Sequence, residues 1–265
     1  MAHVRQPAVV GSFYPRNASE LAADVRRCLE QATPAPGTDG ATPKAIIVPH
    51  AGYVYSASVA ATAYVRLATL REIVRRVVLI GPAHYVPVHG LAASGARAFA
   101  TPLGEVPVDR TANESLRDLR QVAVRDDAHE SEHSLEVQLP FLQAALRDFA
   151  IVPLVVGSAT YDEVRAVIDR LWEGAETLVV ISSDLSHYYP YETARRLDAE
   201  TAAAIVALDA DAIGEEQACG RIPIGGLLLA ARARGLHAVA ADLRNSGDTA
   251  GPRGEVVGYG SFLFT

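Results

Sequence analysis

The sequence predicts a three-layer α/β/α domain with a mixed, largely parallel central sheet, and three observations carry that expectation. Short apolar runs alternate with helix-period segments along most of the chain. The runs are continuous in Val, Ile and Leu, without the polar alternation of a strand that faces water on one side, so both faces are covered. Polar clusters able to do chemistry stand directly after several of the runs. At 265 residues the chain is long enough to bury a large core, and residues 1–265 are read as a single domain.

In chain order, an amphipathic helix is predicted from about Ser19 to Gln31. The Thr-, Pro-, Gly- and Ala-rich stretch Ala32 to Pro43 follows as a surface loop, since the roughly 30 residues before it are too few for a core. Lys44–Pro49 is the first buried strand, followed by a helix from about Ser56 to Leu70, and Arg76–Gly81 is the second strand. Gly90 to Asp109 reads as a strand-and-turn insertion with the turn at Thr101–Gly104. A helix is expected from Glu132 towards Leu146, with Ser131 as its N-cap. Ile151–Gly157 and Thr177–Ser182 are strands separated by a helix from Tyr161 to Trp172. Two or three helices cover Thr193 to Arg234, and His237–Leu243 and Val256–Phe264 close the sheet.

Composition narrows the function. The net charge is -7 and the 24 basic residues are scattered, which argues against a nucleic-acid surface or a cationic membrane-binding face. Two cysteines, Cys28 and Cys219, cannot build a disulfide framework and fit a reducing compartment. The N-terminal residues lack an apolar signal core and no run approaches the ~20 apolar residues of a membrane span, so a cytoplasmic protein is expected.

The chemistry is expected at the strand ends. The first strand runs into Pro49-His50-Ala51-Gly52-Tyr53, the second into Gly81-Pro82-Ala83-His84-Tyr85, and the fourth into Ser183-Asp184-Leu185-Ser186-His187. Ligands of open α/β sheets bind outside the carboxyl ends of the strands, so these clusters point into one volume. Asn245-Ser246-Gly247-Asp248 follows a further strand; Asp248 is either a turn residue or a carboxylate that joins His50 and His84 on a metal. Two imidazoles and one carboxylate would make the facial triad of non-haem iron sites. Asp184 is placed to accept a hydrogen bond from the His187 ring and raise its pKa, which suits a proton shuttle.

Three competing motifs are weaker. His129-Glu130-Ser131-Glu132-His133 satisfies the zinc-protease pattern H-E-x-x-H, but a helix starting at Ser131 leaves His129 outside it. His133 itself is then a pocket wall or a packing residue at a helix terminus. Cys219 beside Gly220 reads as a small buried thiol rather than a reactive one. Gly225-Gly226 belongs to no nucleotide-loop pattern.

The segments Gly11-Ser-Phe-Tyr-Pro15, Pro49-His-Ala-Gly-Tyr-Val-Tyr-Ser56, Gly81-Pro-Ala-His84, Thr101-Pro-Leu-Gly-Glu-Val-Pro-Val-Asp109, Glu132-His-Ser-Leu-Glu-Val-Gln-Leu-Pro-Phe-Leu142, Ser182-Ser-Asp-Leu-Ser-His187 and Ser246-Gly-Asp-Thr249 run in order over nearly the whole chain. In them the sequence resembles the Memo-like family (the B protein of AmmeMemoRadiSam systems), whose fold is related to the class III extradiol dioxygenases. The resemblance implies that His50 and His84 are metal ligands, with a third at or near Asp248, where eukaryotic members carry cysteine. It implies that Asp184 and His187 are pocket residues, His187 being similar to the dioxygenase acid/base histidine, and that Phe13 and Tyr53 line the pocket; it also covers His133. The expectation that follows is a metal-dependent oxidoreductase holding a divalent ion, Fe(II) first and Cu or Zn as the others. The alternatives are a binding or scaffold protein for a small molecule or peptide, and a partner of a radical enzyme and an AMMECR-type protein; a zinc protease through His129 and His133 is a minor one.

Overall fold

Each continuous apolar run is a strand, and the alternation of residues along each strand explains why neither face can be polar. The computed structural model describes residues 3–33 and 42–265, so most of the predicted Ala32–Pro43 loop lies outside the described residues. In chain order the strands are β1 Val4–Arg5, β2 Ala45–Val48, β3 Arg76–Pro82, β4 Leu91–Ala93, β5 Ala98–Thr101 and β6 Gly104–Pro107. Then come β7 Val122–Val124, β8 Ala150–Val156, β9 Thr177–Ser182, β10 His187–Tyr189, β11 Ala238–Asn245 and β12 Val256–Phe264.

A nine-stranded sheet runs β10-β12-β2-β9-β3-β8-β4-β7, with β11 also paired to β12. Its centre is parallel: β2 pairs β9, and β3 pairs both β9 and β8 in the same direction. Antiparallel pairing enters through β12 on one side and β4 on the other, which makes the sheet mixed. The predicted insertion supplies the β5–β6 hairpin, turned at Thr101–Gly104, which with β1 forms a separate three-stranded sheet.

The two faces bury different halves of the same strands. Ile46, Val48, Val77, Leu79, Leu178 and Val180 pack beneath the helices Ala18–Gln31, Tyr53–Tyr64 and Leu139–Ala145. Their neighbours Ala45, Ile47, Val78, Ile80, Val179 and Ile181 pack beneath Tyr161–Leu171, Tyr191–Val206 and Arg221–Ala233. Burying one such Val, Leu or Ile stabilises by about 1.5–3 kcal/mol, so a strand covered on both faces is fixed in place along its whole length. The carboxyl ends of β2, β9 and β3 are thereby held side by side, with Val48 opposite Ser182.

Two local readings change. The second helix begins at Tyr53, three residues earlier than predicted, and tightens into a 3-10 turn over Val65–Leu70. The helix expected from Glu132 is shorter: a 3-10 turn Glu136–Gln138 leads into Leu139–Ala145, and Ser131 instead caps the end of the four-residue helix Asp127–Glu130. Gly225 and Gly226 lie within the helix Arg221–Ala233, where a Cβ would stand 2.4 Å from Tyr161 Cδ1 and 2.5 Å from Val164 Cβ. They permit close helix–helix approach and form no phosphate loop. Among the described residues no helix is long and apolar enough to cross a membrane.

Candidate metal centre

Short turns after the three central strands bring their polar residues together. His50 follows β2, and its backbone N–H donates to Asp184 Oδ1 beyond β9 at 2.7 Å. His84 follows β3, where its backbone N–H donates to Glu132 Oε2 (2.7 Å) and its Nδ1 lies 2.8 Å from Glu132 Oε1. The segment carrying Glu132 and His133 crosses the end of β3, where Ser134 Oγ donates to the Pro82 carbonyl at 3.0 Å. Gly81 makes room for this crossing, since a Cβ there would lie 2.8 Å from Ser134 Oγ and 2.9 Å from Leu135 Cδ2.

The result is a cluster of three imidazoles. His50, His84 and His133 each offer a ligand atom within 4.8 Å of the other two. The His84 and His133 rings stack at 4.6 Å, and His50 meets them edge-on at 5.2 and 5.4 Å. Burial is the largest cause that holds His50 well below the ordinary imidazole pKa, with the facing His84, His133 and His187 adding to it. His133 is pushed down to about 4 for the same first reason. Both rings are therefore neutral near pH 7, the state a metal ligand needs. Burial opposes charge on Glu132, but hydrogen bonds and attraction from His84 and the N–H groups of Ser134 and His84 win, and its pKa falls to about 2. An ionised Glu132 can only accept, so His84 Nδ1 donates to it and Nε2 is the ring nitrogen left to offer a metal. His133 Nδ1 is buried, 3.6 Å from Glu132 Oε1 and without a hydrogen bond. These donors fit a metal ion, and imidazole nitrogen suits Zn, Cu, Fe or Ni.

Asp248 is not part of the cluster. Its Oδ1 accepts from Tyr191 OH at 2.5 Å, and its Oδ2 accepts from the backbone N–H of Asn245 in a capping box at the turn Ser246–Thr249. The turn reading of that residue is the one the geometry matches, and His133 stands where a third ligand was expected from Asp248. The His129–His133 pair is not assembled either: His129 lies in the preceding short helix, buried, with Nε2 3.0 Å from the Ala92 carbonyl.

The imidazoles open into a cavity of about 650 Å³ lined in part by Phe13, Tyr55, Tyr85, Asp184, His187 and Tyr188. Phe13 packs on His133 at 4.9 Å between ring centres. Tyr53 lies behind this wall: it faces an adjoining cavity of about 380 Å³ and donates its hydroxyl to the Val137 carbonyl at 2.8 Å. His187 does not pair with Asp184. Its Nδ1 lies 2.8 Å from the Leu185 carbonyl, and burial lowers its pKa instead of raising it. Asp184 is buried, which pushes its carboxyl up to about 7. Cys219, missed as a site neighbour, has Sγ 3.3 Å from His50 Nε2; burial pushes the thiol up to about 12.

Asp198 supports the turn before His187, accepting from the Ser186 N–H at 3.0 Å. Burial raises its pKa from 3.8 to about 6. Its contribution to stability is therefore fully present below the unfolded value and is lost as pH rises through about 6. Asp198→Asn is expected to raise the urea midpoint more at pH 8 than at pH 4. An equal change at both pH values would show that this carboxyl does not titrate on folding.

The fold and the cluster define an α/β protein able to hold a metal ion at the carboxyl ends of its central parallel strands. The family model described as Memo-like protein matches residues 5–263, and the chain belongs to that family. It is 35% identical over 272 residues to a MEMO1 family protein of Aquifex aeolicus, covering 98% of this chain and 99% of the relative. It is 38% identical over 277 residues to one of Aeropyrum pernix, covering 97% and 98%. An uncharacterized Escherichia coli K12 protein of known structure matches with a TM-score of 0.51 at 14% identity, over 81% of this chain and 98% of that one; this likeness is one of fold.

Proposed function

We propose that the protein is a metal-dependent oxidoreductase whose ion is held by His50, His84 and His133 and whose substrate is a phenolic aromatic compound. The observation that carries the reading is an open cluster of three imidazoles at the floor of an aromatic-rimmed cavity. Val54, Tyr55, Tyr85 and Tyr188 are large hydrophobic residues left exposed, and all of them line this cavity. Tyr85 lies 5.7 Å from His133 and Tyr188 lies 5.8 Å from His187, ring centre to ring centre, within stacking reach of a bound ring. Tyr188 also holds a left-handed backbone (φ 60°), a strained conformation of the kind that clusters at ligand sites.

When bound, the ion would supply Lewis-acid polarisation and a template for the substrate. Fe(II) is the first ion proposed, with Cu and Zn as the other candidates. The chain's own residues do the rest. His187 is neutral near pH 7; a neutral ring that donates Nδ1–H to the Leu185 carbonyl keeps its lone pair on Nε2 and can take a substrate hydroxyl proton. The tyrosine rim and Phe13 hold an aromatic ring and exclude water.

Oxygen consumption by the Fe(II)-loaded protein over a panel of catechols and simpler phenols tests the proposal. His187→Ala is expected to keep the metal and lose turnover by ~10²–10⁴-fold. A second reading, a binding protein for a peptide or for a radical-enzyme or AMMECR-type partner, draws support from the same exposed rim. A phosphopeptide suits it poorly, because no Lys or Arg is among the described residues lining the cavity. Absence of turnover with every phenol, together with partner binding unchanged in His187→Ala, would replace the enzymatic reading.

A further inference from the structure

Ser182, at the carboxyl end of β9, is fully buried, and its hydroxyl meets three polar groups at once. The Ser134 carbonyl lies 2.6 Å away, Gln138 Nε2 lies 2.8 Å away and His50 Nδ1 lies 3.0 Å away. A hydroxyl has one proton and two acceptor lone pairs. A carbonyl can only accept, so the proton goes to Ser134. Gln138 is fixed as a donor, because its Oε1 accepts from Tyr64 OH at 2.9 Å and its Nε2 also donates to the Pro49 carbonyl at 2.9 Å. Turning that amide over would set its oxygen against the Pro49 carbonyl. One lone pair of Ser182 is thus taken by Gln138, and the remaining one can only accept from His50. Nδ1 of His50 therefore carries the proton, and a neutral ring then keeps its free lone pair on Nε2. The contact on the other side is compatible with this, since the Cys219 thiol 3.3 Å from Nε2 can donate to it.

We propose that Ser182 is a positioning residue of the metal centre: its hydroxyl, oriented by Gln138 and the Ser134 carbonyl, holds His50 in the tautomer whose Nε2 is free to bind. The same hydroxyl joins two ligands, because the carbonyl it bonds belongs to the residue after His133. Only the effect on metal affinity rests on the reading of the cluster as a metal site; the tautomer does not.

Long-range proton–nitrogen correlation spectra of the ¹⁵N-labelled, metal-free protein read the tautomer directly. In the wild type the His50 ring is expected to show protonated Nδ1 and bare Nε2. Ser182→Ala removes the acceptor and is expected to shift the ring towards the Nε2-protonated form and weaken Zn(II) binding by about 10–100-fold. Ser183→Ala, a hydroxyl deletion one residue along, is expected to leave the tautomer unchanged. A wild-type ring protonated on Nε2 overturns the proposal, as does an unchanged tautomer in a folded Ser182→Ala protein, even if Zn(II) affinity falls. If Ser182→Ala does not fold, the wild-type spectrum decides. The expected tautomer shift in a protein that binds no Zn(II) would uphold Ser182 and reject the metal reading instead.

Discussion

Replacing His84 by alanine is expected to abolish stoichiometric binding of a divalent ion while leaving the fold intact, and His50→Ala and His133→Ala should do the same. Removing a residue that merely orients a ligand costs about 10–100-fold in metal affinity, so loss of a ligand itself should exceed ~100-fold. Asp248→Ala and His129→Ala should retain the metal. The first removes a carboxylate committed to Tyr191 and the Asn245 N–H. The second removes a ring whose polar contact is the Ala92 carbonyl. Metal content after dialysis and calorimetric titration with Fe(II), Zn(II) and Cu(II) check the set. Thermal stability gives an independent reading, since an ion at 100 times its Kd adds ~2.7 kcal/mol to any variant that still binds it. Loss of metal in a folded Asp248→Ala protein would return the third ligand to Asp248 and remove His133 from the centre.

The contrast between His133 and Asp248 shows where sequence pattern stops. The strands were legible because their buried runs leave no polar phase, and the strand ends marked His50, His84, Asp184 and His187 because a residue just past a parallel strand faces the ligand volume whatever the loop does. His133 gives no such signal. It reaches the site on a segment shaped by buried carboxylates: Glu132 is drawn to the His84 ring, and Glu136 to the N-terminal residues. That segment reads as a helix in sequence, since the Ser131 capping pattern is local and those carboxylate contacts are not. Glu132 keeps one signal in common with a cap, accepting the Ser134 N–H at 2.9 Å, but its other oxygen serves His84. Asp248 misleads for the opposite reason. Its position after a strand looks like a site, whereas one of its oxygens closes a capping box with Asn245 three residues earlier and the other accepts from Tyr191.

Glu136→Ala is expected to destabilise the protein by roughly 3–5 kcal/mol, the scale for leaving a buried charge without its partner. Glu136 is fully buried, and Arg5, nearly so, bonds it through Nη1. The carboxylate also accepts from the N–H groups of Ala8 (2.7 Å) and Val9 (3.1 Å) and from Tyr14 OH (2.6 Å). Alanine would strand all of these donors at once. Arg5 in turn donates Nε to the His129 carbonyl at 2.9 Å and Nη2 to the Glu132 carbonyl at 2.5 Å, so one ion pair fastens the N-terminal segment to both ends of the stretch that leads into His133. Against a typical total stability of about 5–15 kcal/mol, a loss of that size lowers the urea midpoint substantially without changing the slope of the transition. Weaker Zn(II) binding should accompany it in the folded fraction, because His133 loses its anchor. The double variant Arg5→Met/Glu136→Leu removes the charge and its partner together, and is expected to be less damaging than Glu136→Ala alone. A single variant as stable as the wild type would show that the pair contributes nothing to holding this segment. A destabilised one with unchanged Zn(II) affinity would separate the stability of the fold from the placement of His133.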